Sequence, residues 1–172
     1  MAHHTGKEFD ITVYGATGFT GRLVGEYLAR TYPASTGVRW AMAGRNADKL
    51  AQVRDEIGAP ADTPLLVADA SDRGSLEALA SQSKVILTTV GPYQLYGNEL
   101  LSICAESGTD YVDLCGEPAW MSQKIEELGE TAKASGSRIV FSCGFDSIPF
   151  EMGVFFLQQH AMKTLGTPCS SV

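Results

Sequence analysis

The segment Gly15-Ala16-Thr17-Gly18-Phe19-Thr20-Gly21 constrains this chain more than any other. Ile11-Thr12-Val13-Tyr14 precedes it, an alternating β-branched run of the kind that forms a buried strand. Leu23, Val24, Tyr27 and Leu28 follow it at helical spacing. Glycines between a strand and a helix let the backbone turn tightly and lie against a pyrophosphate, with free N–H groups at the helix start facing the anion. The spacing is G-x-x-G-x-x-G rather than G-x-G-x-x-G, yet strand, turn and helix come in the order that a dinucleotide site requires. Gly15, Thr17, Gly18, Phe19, Thr20 and Gly21 are therefore candidate cofactor-binding residues. A tight strand-to-helix turn that holds no ligand is the plainer alternative.

The alternation begun here continues along the chain. Strand-like segments fall at about 9–14, 38–43, 65–68, 85–90, 111–114 and 138–142. Helical patterns fall at about 20–31, 47–57, 73–81, 95–107, 119–135 and 147–165. Short apolar strands separated by helices predict an α/β fold: a Rossmann-type, doubly wound, mainly parallel six-stranded sheet with helices on both faces. Residues 1–8 read as a flexible leader, 9–165 as one nucleotide-binding domain and 166–172 as a loose end. The last helical pattern has Asp146 or Ser147 as a cap, Pro149 in its first turn and Glu151 near its positive end. Its body is apolar on more than one side (Phe150, Met152, Val154, Phe155, Phe156, Leu157), which predicts that a second domain or another subunit covers it.

Composition narrows the function classes. The 172 residues carry 20 acidic and 13 basic side chains, a net charge of -7, and no basic run, which argues against nucleic acid as a partner. None of the four cysteines (Cys104, Cys115, Cys143, Cys169) forms a C-x-x-C pair, and no metal site is expected. The absence of a signal-peptide pattern at the N-terminus and of any apolar run near the roughly 20 residues of a membrane helix predicts a cytoplasmic protein with reduced thiols.

The strand ends carry the remaining candidates. NAD-selective sites place an acid near the end of the second strand, to bond the ribose 2′-hydroxyl. Here Ala43-Gly44-Arg45-Asn46 has none, and Arg45 stands where a guanidinium can pair with a 2′-phosphate. NADP(H) is thus expected in preference to NAD(H), with Gly44 and Arg45 in the site. Asp69, after the third strand, reads equally as a contact to the adenine edge or as a helix cap. The fourth strand runs into Thr89-Val90-Gly91-Pro92-Tyr93, which adds Thr89 and Gly91 to the cofactor residues and Tyr93 as the candidate catalytic group, a proton donor or substrate-orienting hydroxyl. For Tyr93 and Tyr96, core packing is the simpler reading. Asp113 and Glu117, after the fifth strand, read as acids or orienting groups. Cys115 and Cys143 come together if strands five and six are neighbours.

As an ordered set these blocks resemble the saccharopine-dehydrogenase-like oxidoreductases. The carriers are Gly15 to Gly21, Ala43-Gly44-Arg45, Thr89 to Tyr93 with Tyr96-Gly97, Asp110 to Glu117, and Gly144-Phe145-Asp146-Ser147-Ile148-Pro149. The likeness is strongest to the mycobacterial trans-acting enoyl reductases of that group, which act with polyketide synthases on cell-wall lipid precursors. The resemblance implies a nucleotide-binding Rossmann domain followed by a second, substrate-shaping domain that this chain lacks. It implies hydride transfer from NADPH to the β-carbon of a small or carrier-bound enoyl lipid substrate, with an acid protonating the α-carbon, and a polyketide synthase as possible partner. Imine or carbonyl reduction would use the same cofactor geometry. A non-catalytic NADP-binding sensor or partner-binding module would use the same glycine turn and Arg45. A short-chain reductase of the Tyr-x-x-x-Lys type is excluded, because the positions four after each tyrosine hold Gly18, Thr31, Thr36, Gly97, Leu100 and Cys115.

Overall fold

The computed structural model describes residues 6–172. Among them six strands and seven α-helices alternate: β1 (Phe9–Tyr14), α1 (Phe19–Thr31), β2 (Trp40–Gly44), α2 (Ala47–Glu56), β3 (Leu65–Val67), α3 (Arg73–Gln82), β4 (Ser83–Thr88), α4 (Tyr93–Tyr96), α5 (Asn98–Ser107), β5 (Asp110–Val112), α6 (Pro118–Ser135), β6 (Ile139–Val140) and α7 (Ile148–Leu165). A short 3-10 turn at Ala34–Thr36 links α1 to β2. The strands form one sheet in the order β3-β2-β1-β4-β5-β6. Every pairing is parallel. This is the doubly wound Rossmann order, and the direction of winding reverses between β1 and β4. In such a sheet ligands bind at the carboxyl ends of the strands, at that reversal.

The sheet is buried because its strands are. All five residues of β2 are buried, and on β1 Val13, Tyr14 and Thr12 are at or near full burial. The Thr12 hydroxyl, polar in this setting, is matched by Ser83 Oγ on the adjacent strand at 2.6 Å. Two apolar layers flank the sheet. One, with Leu28, Met42, Leu50 and Val53, lies under α1 and α2. The other, with Leu76, Leu79, Leu100, Leu101, Tyr111 and Trp120, lies under α3, α5 and α6.

Side-chain caps start two of the helices, and two other starts differ from the sequence pattern. Asn46 Oδ1 accepts from Lys49 N at 2.8 Å and starts α2, and Asp72 caps α3 through Gly74 N at 3.0 Å. The expected single helix over 95–107 is two, α4 and α5, joined at Gly97, whose missing Cβ would stand 2.8 Å from the Tyr93 carbonyl and 3.1 Å from the Trp120 ring. At the start of α7 no side chain caps: Ser147 holds the cap position without a side-chain bond, and Ile148 N donates to Gly144 O at 3.0 Å instead. Of the 18 residues of α7 only Ala161 is buried; Phe150, Phe155 and Phe156 are 63%, 59% and 73% exposed.

Lys7, near the start of the described residues, and Cys169, near the C-terminus, each make hydrogen bonds within the fold. Lys7 Nζ donates to Ala80 O at 2.7 Å and Thr109 Oγ1 at 2.8 Å, so the last part of the expected leader is anchored at the base of the sheet. The rest of that leader, with His3 and His4, lies outside the described residues. Cys169 exchanges two hydrogen bonds with the side chain of Gln158, at 2.8 and 3.0 Å, which folds the C-terminal residues back on α7. Among the described residues no helix is long and apolar enough to cross a membrane.

Candidate nucleotide-binding site

A cleft of about 410 Å³ opens at the carboxyl ends of β1 to β4. Its floor is the glycine turn. Gly15 has φ +90°, and a Cβ there would stand 2.6 Å from Thr89 Oγ1 and 2.8 Å from Val90, so glycine is needed for conformation and for space. The backbone N–H groups of Gly15 and Ala16 both donate to Ala43 O, at 3.0 and 3.1 Å, and Gly18 N closes on Gly15 O at 2.9 Å. Thr89 Oγ1 reaches back to the Gly15 carbonyl at 3.2 Å and ties the β4 end to the turn. A Cβ on Gly21 would come 2.2 Å from that same carbonyl, so α1 sits directly against the turn. No side chain caps the start of α1, and the first-turn N–H groups have no partner within a helix. Turn and helix start thus form an anion-binding concavity.

The structure brings Gly15, Thr17, Gly18, Gly44, Arg45, Asp69, Thr89 and Gly91 together around this cleft. Four of the candidates do not line it. Phe19 is 84% exposed, its side chain turned to solvent. Thr20 and Gly21 do not line the cleft, and Gly21 packs against the Gly15 carbonyl. Tyr93 is buried: its hydroxyl donates to Thr88 O at 3.2 Å and accepts from Leu114 N at 3.4 Å, and its ring packs 5.9 Å from that of Trp120. Burial pushes its hydroxyl well above the ordinary tyrosine value. The structure thus gives Tyr93 the packing role, and Tyr96, 48% exposed, is the tyrosine of that loop that lines the cleft. Tyr14, Ala70, Ser71 and Val90 line the cleft as well. Sequence reasoning missed these four; Tyr14 and Val90 carried a signal, since each adjoins a glycine at a strand's carboxyl end.

Asp69 does not cap α3, which Asp72 does. Asp69 lines the cleft, and its Oδ1 accepts from Ser71 N at 2.8 Å and Ser71 Oγ at 2.7 Å, closing the turn before α3. The Ser71 hydroxyl and N–H, with Arg45 nearby, hold its carboxyl below the ordinary aspartate value. Arg45 itself is exposed at the end of β2, and no acid stands beside it in the β2 to α2 turn.

On the other side of the cleft two carboxylates set the shape of the loops. Glu117 Oε1 accepts from Tyr93 N at 2.7 Å and its Oε2 from Gln94 N at 2.9 Å, a two-pronged hold on the start of α4. Asp113 is buried and joins the ends of β5 and β6: its Oδ1 accepts from Cys115 N at 3.0 Å and Ser142 N at 2.8 Å, and its Oδ2 from the Tyr111 hydroxyl at 2.9 Å. Burial raises its carboxyl above the ordinary value, against those three donors. Both carboxylates thus orient backbone. β5 and β6 are neighbours, but Cys115 and Cys143 are free thiols. Cys115 Sγ accepts from Glu117 N, and Cys143 Sγ points to the carbonyls of Val140 and Phe141; burial pushes both thiols up, away from reactivity. Among the described residues no group of acids, cysteines or histidines could hold a metal ion.

A six-stranded sheet of this order with a glycine turn at its reversal is a dinucleotide-binding Rossmann domain. The chain belongs to the saccharopine dehydrogenase NADP binding domain family, whose model matches residues 11–140. It is 48% identical over 158 residues to a trans-acting enoyl reductase of Mycobacterium ulcerans, covering 91% of this chain and 37% of that protein. A trans-acting enoyl reductase of Mycobacterium leprae is 46% identical over the same coverage. The chain thus spans little more than a third of the length of the curated relatives it matches. Apo saccharopine dehydrogenase (L-Glu forming) of Saccharomyces cerevisiae shares the fold, with a TM-score of 0.64 at 17% identity, over 92% of this chain and 31% of that one.

Proposed function

We propose that this chain binds NADP(H) in preference to NAD(H) and forms the nucleotide-binding half of a reductase acting on an enoyl lipid or polyketide precursor. Arg45 carries the reading. It is the residue presented at the end of β2, where NAD selectivity would call for an acid. The glycine turn fits the group: Gly15 holds a positive-φ turn in which a side chain would clash, and the uncapped start of α1 offers N–H groups to the pyrophosphate. Thr17 and Gly18 would flank the phosphates, Asp69 the adenosine side, and Thr89 and Gly91 the nicotinamide side.

The nicotinamide, when bound, supplies the hydride. This chain's own residues bind and orient it. Glu117 holds the 91–96 loop that forms the wall beside that ring, and Tyr96 is the hydroxyl on this wall available to face a substrate. Enoyl reduction comes from the names of the mycobacterial relatives, and a polyketide synthase partner only from the family resemblance of the sequence. The exposed apolar α7 supports a further domain or subunit packed there.

Titration of NADPH and NADH by fluorescence, on the chain and on Arg45→Ala, tests the reading. NADPH is expected to bind more tightly. The variant is expected to lose on the order of tenfold to a hundredfold for NADPH and little for NADH, the worth of charge-assisted bonds to a phosphate. Equal affinities that Arg45→Ala leaves unchanged would overturn the preference. Nucleotide binding without reduction of an enoyl thioester, even with the remainder of a relative supplied, would favour a non-catalytic binding module.

A further inference from the structure

One polar group of the cleft has no role in what precedes. Tyr14 is the last residue of β1, 2% exposed, and belongs to the same buried cluster as Ala43, Ala68 and Leu76. It also lines the nucleotide cleft. The described residues provide no hydrogen-bond partner for its hydroxyl, whereas every other buried tyrosine has one: Tyr93 bonds Thr88 O and Tyr111 bonds Asp113. A buried hydroxyl without a partner is costly, and native proteins keep very few. Such a group, at the wall of a binding cleft, marks a place where a ligand supplies what the protein does not.

Two observations say which part of the cleft the hydroxyl faces. Ala43 of β2 stands beside Tyr14 in register, two residues before Arg45, and Arg45 and Asp69 line the cleft together with Tyr14. Asp69 and Arg45, which follow β3 and β2, both act on its ionisation: burial, with Asp69 adding and Arg45 opposing, pushes the hydroxyl up to about 12. It is therefore a fixed donor at neutral pH, at the Arg45 and Asp69 end of the cleft.

We infer that the Tyr14 hydroxyl is a hydrogen-bond donor to the adenosine half of the bound dinucleotide, and that Tyr14 is a binding residue of this site. The inference rests on the nucleotide-binding reading above and adds a donor to it. It also explains a residue choice, since phenylalanine would pack as well in this position and would leave no unsatisfied hydroxyl.

The test is Tyr14→Phe, measured two ways on the whole chain. In the ligand-free state the melting temperature should stay level or rise, because the variant removes an unpartnered buried hydroxyl. In titrations, affinity for NADPH should fall about tenfold, and affinity for adenosine 2′,5′-bisphosphate, the adenosine half alone, should fall by the same factor. A lower melting temperature without ligand would overturn the inference, since the hydroxyl would then have a structural partner. So would unchanged affinity for both nucleotides in a variant whose parent binds them, or a loss confined to NADPH, which would place the contact on the nicotinamide side. If the parent chain binds neither nucleotide, the nucleotide-binding reading itself fails and this inference falls with it; that blank parent titration separates the two failures.

Discussion

Glu117→Ala is the perturbation that the structure prices most directly. The carboxylate accepts from Tyr93 N at 2.7 Å and from Gln94 N at 2.9 Å, one oxygen to each. Alanine removes both acceptors at once. The Tyr93 N–H lies partly buried beneath its own loop, so it is left without a partner, at a cost of about 1.5–3 kcal/mol for a bond to a charged group. The Gln94 N–H is exposed and can turn to water, so its loss adds about 0.5–1 kcal/mol. The sum, about 2–4 kcal/mol, corresponds to a melting temperature roughly 4–15 °C lower in a domain of this size. The same loop carries Gly91 and Tyr96 into the cleft, so nucleotide affinity should fall as well, even well below the melting temperature. Glu117→Gln keeps one acceptor oxygen for Tyr93 N and turns an amide N–H toward Gln94 N, so about half of the stability loss is expected. Thermal unfolding of the three proteins, followed by NADPH titration at a temperature where all are folded, measures both effects. If Glu117→Ala melts within about 1 °C of the parent and binds NADPH equally, these two hydrogen bonds do not hold the loop and the reasoning fails.

Other perturbations follow from the same geometry. Gly21→Ala sets a methyl 2.2 Å from the Gly15 carbonyl, so the turn must shift; urea unfolding should show a loss of about 2–3 kcal/mol, with nucleotide binding abolished. Asp113 has a native carboxyl raised above its unfolded value, so the stability it contributes is full below the ordinary aspartate range and is lost as pH climbs through the raised native value. Asp113→Asn removes that contribution, so its unfolding free energy, measured from the ordinary aspartate range upward, should fall less with rising pH than that of the parent; an unchanged slope would show that Asp113 is not the group titrating. Replacing Phe155 and Phe156 of α7 by serine should reduce self-association in light scattering, with the melting temperature of the sheet domain unchanged, because both rings are exposed in this chain.

Particular residues show how far the amino-acid order carried. β1 was legible to the residue, Phe9–Tyr14, because alternation and β-branching coincide there with a central, fully paired strand. β6 was not: the apolar run over 138–142 reads as five residues, yet only Ile139 and Val140 pair, because β6 is the sheet edge and the next residues turn to meet Asp113. The starts of α2 and α3 were legible from the helical patterns at 47 and 73, where the structure places caps at Asn46 and Asp72. The break between α4 and α5 was not, since it depends on Glu117 and Trp120, which are distant in sequence and adjacent only in the fold.

By itself the sequence determined the α/β class, the parallel sheet, the glycine turn at its head and the Arg45 position, because each rests on residues within a few places of one another, where backbone sterics and periodicity act. The tertiary structure alone decided which side chains of those strand ends share the cleft. Tyr93 and Tyr96 stand three places apart with the same chemistry, and only the packing of Trp120 against the first assigns it to the core and the second to the cleft. Tyr14 sits beside the turn in sequence, but that its hydroxyl has no partner follows from the apolar cluster that other segments build around it. Local order sets backbone conformation, whereas the burial and pairing of a polar atom depend on every segment that comes to surround it.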